Sequence, residues 1–258
     1  MKTYNWSIIA IDGPAASGKG TLSKKIAAAM GYAHMDTGLL YRAVALMVLS
    51  EHADVNDPRT GIKAAQALAE EGFPPTRPAS PSSFAGLPPP NGGRGGGGGQ
   101  GFGQFDFEPY MDALKDEAVT AAASVVAANP EVRNILLNLQ KTFAAAPPAP
   151  YKGAVLDGRD IGTVICPDAP VKLYITANLE TRAERRFKEL QSKGNPVTYD
   201  AVLRDMRDRD SRDSGRASAP MKPAIDAVIL DTTDLNQDQA FEKALAVVRE
   251  KTRINSNP

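Results

Sequence analysis

Cysteine is all but missing from the 258 residues: there is one, Cys166. No internal disulfide can form, and no multi-cysteine zinc site exists. The two histidines, His34 and His52, are too few for a His-rich metal centre. Net charge is missing too, with 30 Lys and Arg against 30 Asp and Glu. That excludes the cationic excess of a general nucleic-acid coat. No run of about 18 apolar residues is present to cross a bilayer; the longest strongly apolar stretch is Ala43 to Leu49. The opening MKTYNWSIIAIDG has an apolar patch too short for a secretory signal, and no small-residue cleavage site. The expectation is a cytoplasmic protein with neither a membrane nor a nucleic-acid polymer as partner.

What is there suits a globular fold. At 42% hydrophobic residues, a chain of this length buries a core without metal or disulfide staples. Cys166 reads as a small apolar core residue. One stretch stands apart. Pro74 to Pro109 holds 8 prolines and 10 glycines in 36 residues, including the run Gly95 to Gly99. Such a composition buries too little side chain to offset its ordering entropy, so it reads as a loop or linker.

On either side the pattern is regular. Apolar β-branched runs predict strands at Ser7–Ile11, Ala154–Leu156, Val171–Ile175 and Ala227–Leu230. Helices are predicted over Lys19–Met30, Gly38–Ser50, Ile62–Glu71, Asp116–Ala128, Leu179–Lys193 and Tyr199–Asp213. Asn129-Pro130-Glu131 is a helix start, with a cap, a proline at the first helical position and an acid in the first turn. That helix runs to about Ala145. Asn236 with Gln239 three residues on forms a capping box for a last helix to about Lys251. Alternating strands and helices imply an α/β fold on a mostly parallel sheet.

The strongest chemical signal is Gly13-Pro14-Ala15-Ala16-Ser17-Gly18-Lys19-Gly20-Thr21, between a predicted strand and a predicted helix. Glycines let backbone N–H groups approach phosphate oxygens. The helix N-terminus adds partial positive charge. Lys19 supplies a mobile charge for the outer phosphates. Gly20 stands where a phosphate-binding loop usually has Ser or Thr, and the hydroxyl comes one residue later, at Thr21. This constellation predicts nucleoside triphosphate binding on a P-loop NTPase-type sheet flanked by helices.

An acceptor has to be sought elsewhere. Arg159 lies in Asp157-Gly158-Arg159-Asp160, at the end of a predicted strand, where open α/β sheets bind ligands. Arginine forks match phosphate oxygens. Arg185 and Arg186 lie in a charged helix with Glu189 within reach, so spacing alone favours ion pairs with it.

Six segments, GPAASGKGT, MDTGLLYRA, AAASVVAANPEVR, LDGRDIGTVICPDAPVKLYITA, RDRDSRDSGRASAP and LDTTDL, together resemble the bacterial cytidylate kinase family of nucleoside-monophosphate kinases. The resemblance covers roughly residues 8–72 and 114 to the C-terminal helix. It implies a single kinase domain over 1–258, transferring phosphate from ATP to CMP or dCMP with Mg²⁺, and acting as a monomer on small nucleotides. By the same resemblance Ser124, Arg133 and Asp160 contact the cytosine, while Thr37, Arg42, Arg159, Arg209, Asp213 and Arg216 hold ribose and α-phosphate. A carboxylate and a hydroxyl suit the cytosine amine, and an arginine suits the ring acceptors. Lys19, Arg159, Arg185 and Arg209 are the implied catalytic cations. Residues 180–216 are the implied lid and acceptor-binding helices. Thr21 and Asp157 are the candidates for orienting Mg²⁺.

The sequence departs from the family in two places. The Pro/Gly tract of 74–109 replaces a small β-rich insert of the acceptor-binding lobe. Leu114-Lys115 stands where members usually have Ile-Arg, which keeps charge but loses the planar fork. The alternative reading is therefore an ATP-binding protein with impaired transferase activity.

Overall fold

The computed structural model describes residues 8–73 and 106–254. In chain order the elements are β1 (Ile8–Asp12), α1 (Lys19–Met30), β2 (Ala33–Asp36), α2 (Gly38–Ser50), α3 (Pro58–Glu71), α4 (Met111–Leu114), α5 (Glu117–Val126), α6 (Pro130–Ala145), β3 (Ala154–Gly158), β4 (Val171–Thr176), α7 (Leu179–Ser192), α8 (Tyr199–Gly215), β5 (Val228–Asp231) and α9 (Gln237–Ile254). A 3₁₀ turn at Glu108–Tyr110 precedes α4, and a π-helical turn at Ile161–Ile165 follows β3. The chain divides into two compact units, Met1–Met35 with Ala149–Pro258, and Asp36–Pro148.

The first unit is built on a five-stranded sheet of order β2-β3-β1-β4-β5. Strand β1 pairs in parallel with β3 and with β4, and β4 pairs in parallel with β5. Ile9, Ile11, Val155, Val171, Leu173 and Ile175 put one apolar face against Leu22, Ile26 and Ala27 of α1 and Ala244 and Val248 of α9. Each fully buried Ile or Leu there contributes roughly 1.5–3 kcal/mol. The register sets Asp12 beside Gly158 and Ile11 beside Asp157. The ends of β1 and β3 therefore lie side by side at the carboxyl edge of the sheet. The capping box is formed as the sequence predicts: Asn236 Oδ1 accepts from the Gln239 N–H at 2.9 Å, and Gln239 Oε1 accepts from the Asn236 N–H at 3.0 Å.

The second unit is helical. Nine residues of α2 are buried, from Leu39 round to Val48. A helix apolar on so many sides must be wrapped by others, here with Ala64, Ala65 and Leu68 of α3, Val119, Ala122 and Val126 of α5 and Val132 and Leu136 of α6. Asn129 caps α6 as expected, accepting from the Glu131 N–H at 2.9 Å.

One boundary expectation is corrected and one strand lies outside the expected elements. Helix α3 starts at Pro58, four residues before Ile62, because Asp57 accepts the Arg59 N–H at 3.0 Å and Pro58 fills the first helical position. Strand β2 was not expected; its four residues alternate buried and half-buried, too short a run for periodicity to register. The expected loop over 74–109 falls on residues 74–105, outside the described residues, except for its last four. Of those, Phe107 is buried, with its ring 5.4 Å from Phe73, which itself lies 5.2 Å from Tyr110. These aromatic rings pack together among the described residues on either side of 74–105.

Candidate active site

The loop from Gly13 to Thr21 joins β1 to α1, as the sequence requires. Gly13 has φ 147°, and a Cβ there would lie 2.0 Å from the Ile175 carbonyl oxygen. Only glycine lets the chain leave β1 this close to β4. Ala16 and Gly18 also take positive φ, 56° and 89°, and turn the loop onto the helix. Ser17 Oγ donates to the Pro14 carbonyl at 3.0 Å, and Lys19 Nζ donates to the same oxygen at 3.3 Å. Gly18 caps α1 with no side-chain bond, so backbone N–H groups and the positive end of the helix define the loop's chemistry. Gly20 and Thr21 open α1, and the Thr21 side chain is exposed.

Thr232, within LDTTDL, and Arg182 brace this loop. The Ser17 carbonyl accepts from Thr232 Oγ1 at 3.0 Å. The Ala15 carbonyl accepts from Arg182 Nη1 at 3.3 Å. Arg182 is buried and also donates to the Ala177 carbonyl at 2.9 Å and to Asp210 Oδ2 at 2.7 Å. It thus joins the phosphate loop to α7 and α8. Those two helices pack through Ala183, Leu190, Val202 and Met206, with Ala16 of the loop against the cluster.

Four residues of the acceptor set meet in the first unit. Arg159 Nε donates to Asp213 Oδ2 at 3.0 Å, and Arg159 Nη1 donates to the Gly158 carbonyl at 3.1 Å. Arg216 donates from Nε to the Asp213 carbonyl at 3.3 Å. Burial works against the Asp213 charge, yet Arg159, Arg209 and Arg216 hold its carboxyl below the ordinary range. The result is a carboxylate ringed by three arginines, a surface suited to a phosphate and a sugar.

Asp160 is buried just beyond Arg159. Asp157, three residues earlier, is also buried and bonds His34 Nε2 across 2.6 Å. Burial opposes its charge, but His34, Lys19 and Arg159 hold its carboxyl below the ordinary range. No sequence signal marked His34, whose partner is 123 residues away.

The remaining acceptor candidates belong to the second unit. Thr37 is buried at the head of α2, and Arg42 is half-buried one turn on. Ser124 is buried on α5. Arg133 is buried on α6, with its guanidinium 5.4 Å from the centre of the Tyr41 ring and Nη1 donating to the Ala127 carbonyl at 3.4 Å. A cation over an aromatic face keeps the guanidinium plane oriented.

The two neighbouring arginines of α7 diverge. Arg186 pairs with Glu189 at 2.8 Å, as its spacing suggests. Arg185 instead donates to the carbonyls of Thr232 at 2.6 Å and Leu235 at 3.4 Å, past the end of β5. Cys166 is buried, as expected.

Asp12 is also disturbed. Burial pushes its carboxyl up to about 7, against two backbone N–H bonds that pull it down. A carboxylate raised in the folded state stabilises it below the ordinary value of 3.8, and loses that contribution as pH rises through about 7. Melting temperature is therefore expected to fall as pH rises from about 4 to 7, with a shallower fall in Asp12→Asn. Equal slopes for both proteins in parallel thermal melts would contradict the assignment.

A strand, a glycine loop and a helix carrying Lys19, beside a carboxylate ringed by arginines, define a P-loop phosphotransferase. The family profile described as cytidylate kinase matches residues 9–71 and 105–250. Cytidylate kinase of Rhodospirillum rubrum is 46% identical over 246 residues, covering 95% of this chain and 99% of that one. Those of Paramagnetospirillum magneticum and Methylocella silvestris are each 48% identical, over 245 and 241 residues, covering 95% and 93% of this chain and 99% and 93% of theirs. The chain belongs to the cytidylate kinase family. The profile leaves residues 72–104 unmatched, a stretch that holds all but the last five residues of the Pro/Gly tract.

Proposed function

We propose that the chain transfers the γ-phosphoryl group of ATP to CMP and dCMP, giving ADP with CDP or dCDP. Besides family membership, the observation that carries this reading is the Arg159–Asp213–Arg216 cluster, in the same unit as the phosphate loop. An α-phosphate oxygen of CMP attacks the γ-phosphorus, a new O–P bond forms, and the bond to the β-phosphate bridging oxygen breaks. The nucleophile is already anionic, so positioning and charge neutralisation suffice without a general base.

In this reading the backbone N–H groups of Gly13–Thr21 hold the ATP phosphates and Lys19 the outer charge. Arg159, Arg209 and Arg216 grip the CMP phosphate, and Asp213 accepts from the sugar hydroxyls. The family resemblance assigns Thr37 and Arg42 to the ribose and α-phosphate of CMP, and Ser124, Arg133 and Asp160 to its base. The helices α7 and α8 act as the lid, with Arg185 as its cation.

Mg²⁺ enters with ATP. Hard oxygen donors suit it, and the Thr21 hydroxyl and Asp157 carboxylate are of that kind. Among the described residues no group of three or more His, Cys, Asp or Glu side chains forms a metal site. When bound, it neutralises the phosphate charge. Among the described residues no helix is long and apolar enough to cross a membrane, and a monomer working in the cytoplasm completes the reading.

The test is ADP release across CMP, dCMP, UMP and AMP, with CMP and dCMP turned over fastest. ATP binding without CDP formation at any CMP concentration would instead favour a nucleotide holder with an impaired acceptor lobe. Asp160→Ala sharpens the test. Uracil presents a carbonyl where cytosine presents an amine, so Asp160 repels it. The variant is expected to raise the KM for CMP and narrow the CMP/UMP ratio of kcat/KM by about tenfold or more. An unchanged ratio would remove Asp160 from the base-reading set.

A further inference from the structure

Asp12 closes β1 and directly precedes Gly13, the first residue of the phosphate loop, yet its side chain serves another segment. Oδ1 accepts the Ile161 N–H at 2.7 Å, and Oδ2 accepts the Gly162 N–H at 2.8 Å. These are the two residues after Asp160, and they open the π-helical turn. Strand pairing sets Asp12 beside Gly158 along the sheet. It leaves the peptides beyond Gly158 without strand partners, and the carboxylate fixes their direction.

The site is built for a carboxylate. Two N–H groups on successive residues need two acceptor oxygens. An asparagine of the same shape offers one oxygen and turns a donor toward the other N–H. Burying the charge costs free energy, and Asp160 adds repulsion while Lys19 attracts. Room is kept as well: a Cβ at Gly162 would lie 3.4 Å from Asp12 Oδ2 and 3.2 Å from Lys172 Cδ. A simple turn anchor needs none of this, since a neutral Ser or Asn would serve one N–H at lower cost.

We propose that Asp12 is a positioning residue for CMP recognition: its paired N–H bonds fix how Asp160 presents its carboxylate, and tie the base-reading turn to the root of the ATP loop. The proposal rests on Asp160 reading the cytosine, as above. Asp12 touches neither nucleotide in this scheme. Its effect passes through Ile161 and Gly162.

The experiment is steady-state kinetics of Asp12→Asn on CMP, UMP and ATP at about pH 8, where the Asp12 carboxyl, raised to about 7, is ionised, with Asp160→Ala alongside. Losing one charge-assisted bond from the turn is expected to raise the KM for CMP by about tenfold or more. The CMP/UMP ratio is expected to narrow, while the KM for ATP stays within about twofold, since the loop's own bonds at Pro14, Ala15 and Ser17 are untouched. A purely structural role would move both substrates together. Equal rises in the KM for ATP and CMP, or an unchanged CMP/UMP ratio while Asp160→Ala narrows it, would overturn the proposal. An unchanged ratio in Asp160→Ala itself marks failure of the underlying reading instead. Should Asp12→Asn fail to fold by near-ultraviolet circular dichroism, Asp12→Glu carries the same test. It keeps both acceptors and displaces the turn by one methylene, and the absence of the CMP-selective split there would equally overturn the proposal.

Discussion

Lys19→Ala is expected to lower kcat by roughly 10³-fold while leaving CMP affinity within a few-fold. The transferred phosphoryl group spreads its charge over equatorial oxygens, and catalysis rests on cations already in place when that charge develops. Backbone N–H groups of the loop are fixed partial charges. Lys19 is the full charge that can follow the outer phosphates, because its ammonium rides on a flexible four-carbon stem. It now reaches the Pro14 carbonyl at 3.3 Å, at the neck of the loop. It also attracts the buried carboxylates of Asp12 and Asp157. Alanine should therefore raise both carboxyls a little and shift the melting temperature modestly. Catalytic loss far larger than stability loss is the signature sought, read from kcat at saturating ATP and CMP beside a thermal melt. Near-normal turnover would refute the loop's assignment.

Local signals carried much of this molecule into view before any coordinates. The glycine spacing, Lys19 and the flanking strand and helix located the phosphate loop, because its chemistry depends on backbone conformation encoded within nine consecutive residues. Asn129-Pro130 and Asn236 with Gln239 marked helix starts for the same reason. The Asp57-Pro58 start carried the same kind of signal and was passed over in favour of the apolar periodicity that begins at Ile62. Arg159, Asp213 and Arg216 were singled out through their motifs, but their convergence on one carboxylate joins positions 54 residues apart, which no spacing rule reaches.

What stayed hidden was long-range or paradoxical. His34 acquires its role only when β2 lies against β3. Arg182 sits in a charge-dense helix with nothing in its spacing to set it apart, yet it is buried and spans three segments. Asp12 gave a faint sign, a charged residue closing an apolar run immediately before the glycine loop. Its partners lie 149 and 150 residues on, so its charge could be noticed in the sequence but not explained there.

Arg159→Ala is expected to lower kcat/KM for CMP by about 10²- to 10³-fold and to leave the KM for ATP nearly unchanged. Two donors of this guanidinium are committed to Asp213 and to the Gly158 carbonyl, which sets its plane; three of its five N–H groups remain for a phosphate. The side chain is only 16% exposed, so a charge–charge bond there is weakly screened by water. Losing it removes both the grip on the nucleophile's phosphate and the alignment that makes attack in line. Asp213 keeps Arg209 and Arg216 as counter-charges, so the fold should survive. Arg159→Lys separates the two contributions. Lysine restores charge without the fork, so it should recover CMP binding in part while kcat stays low. The CMP/UMP ratio should not move in either variant, because the phosphate is common to both nucleotides and the proposed scheme gives the base to Asp160. A ratio that collapses in Arg159→Lys would mean that Arg159 orients Asp160 as well. A kcat restored in full by lysine would mean that charge alone, without bidentate geometry, drives the transfer.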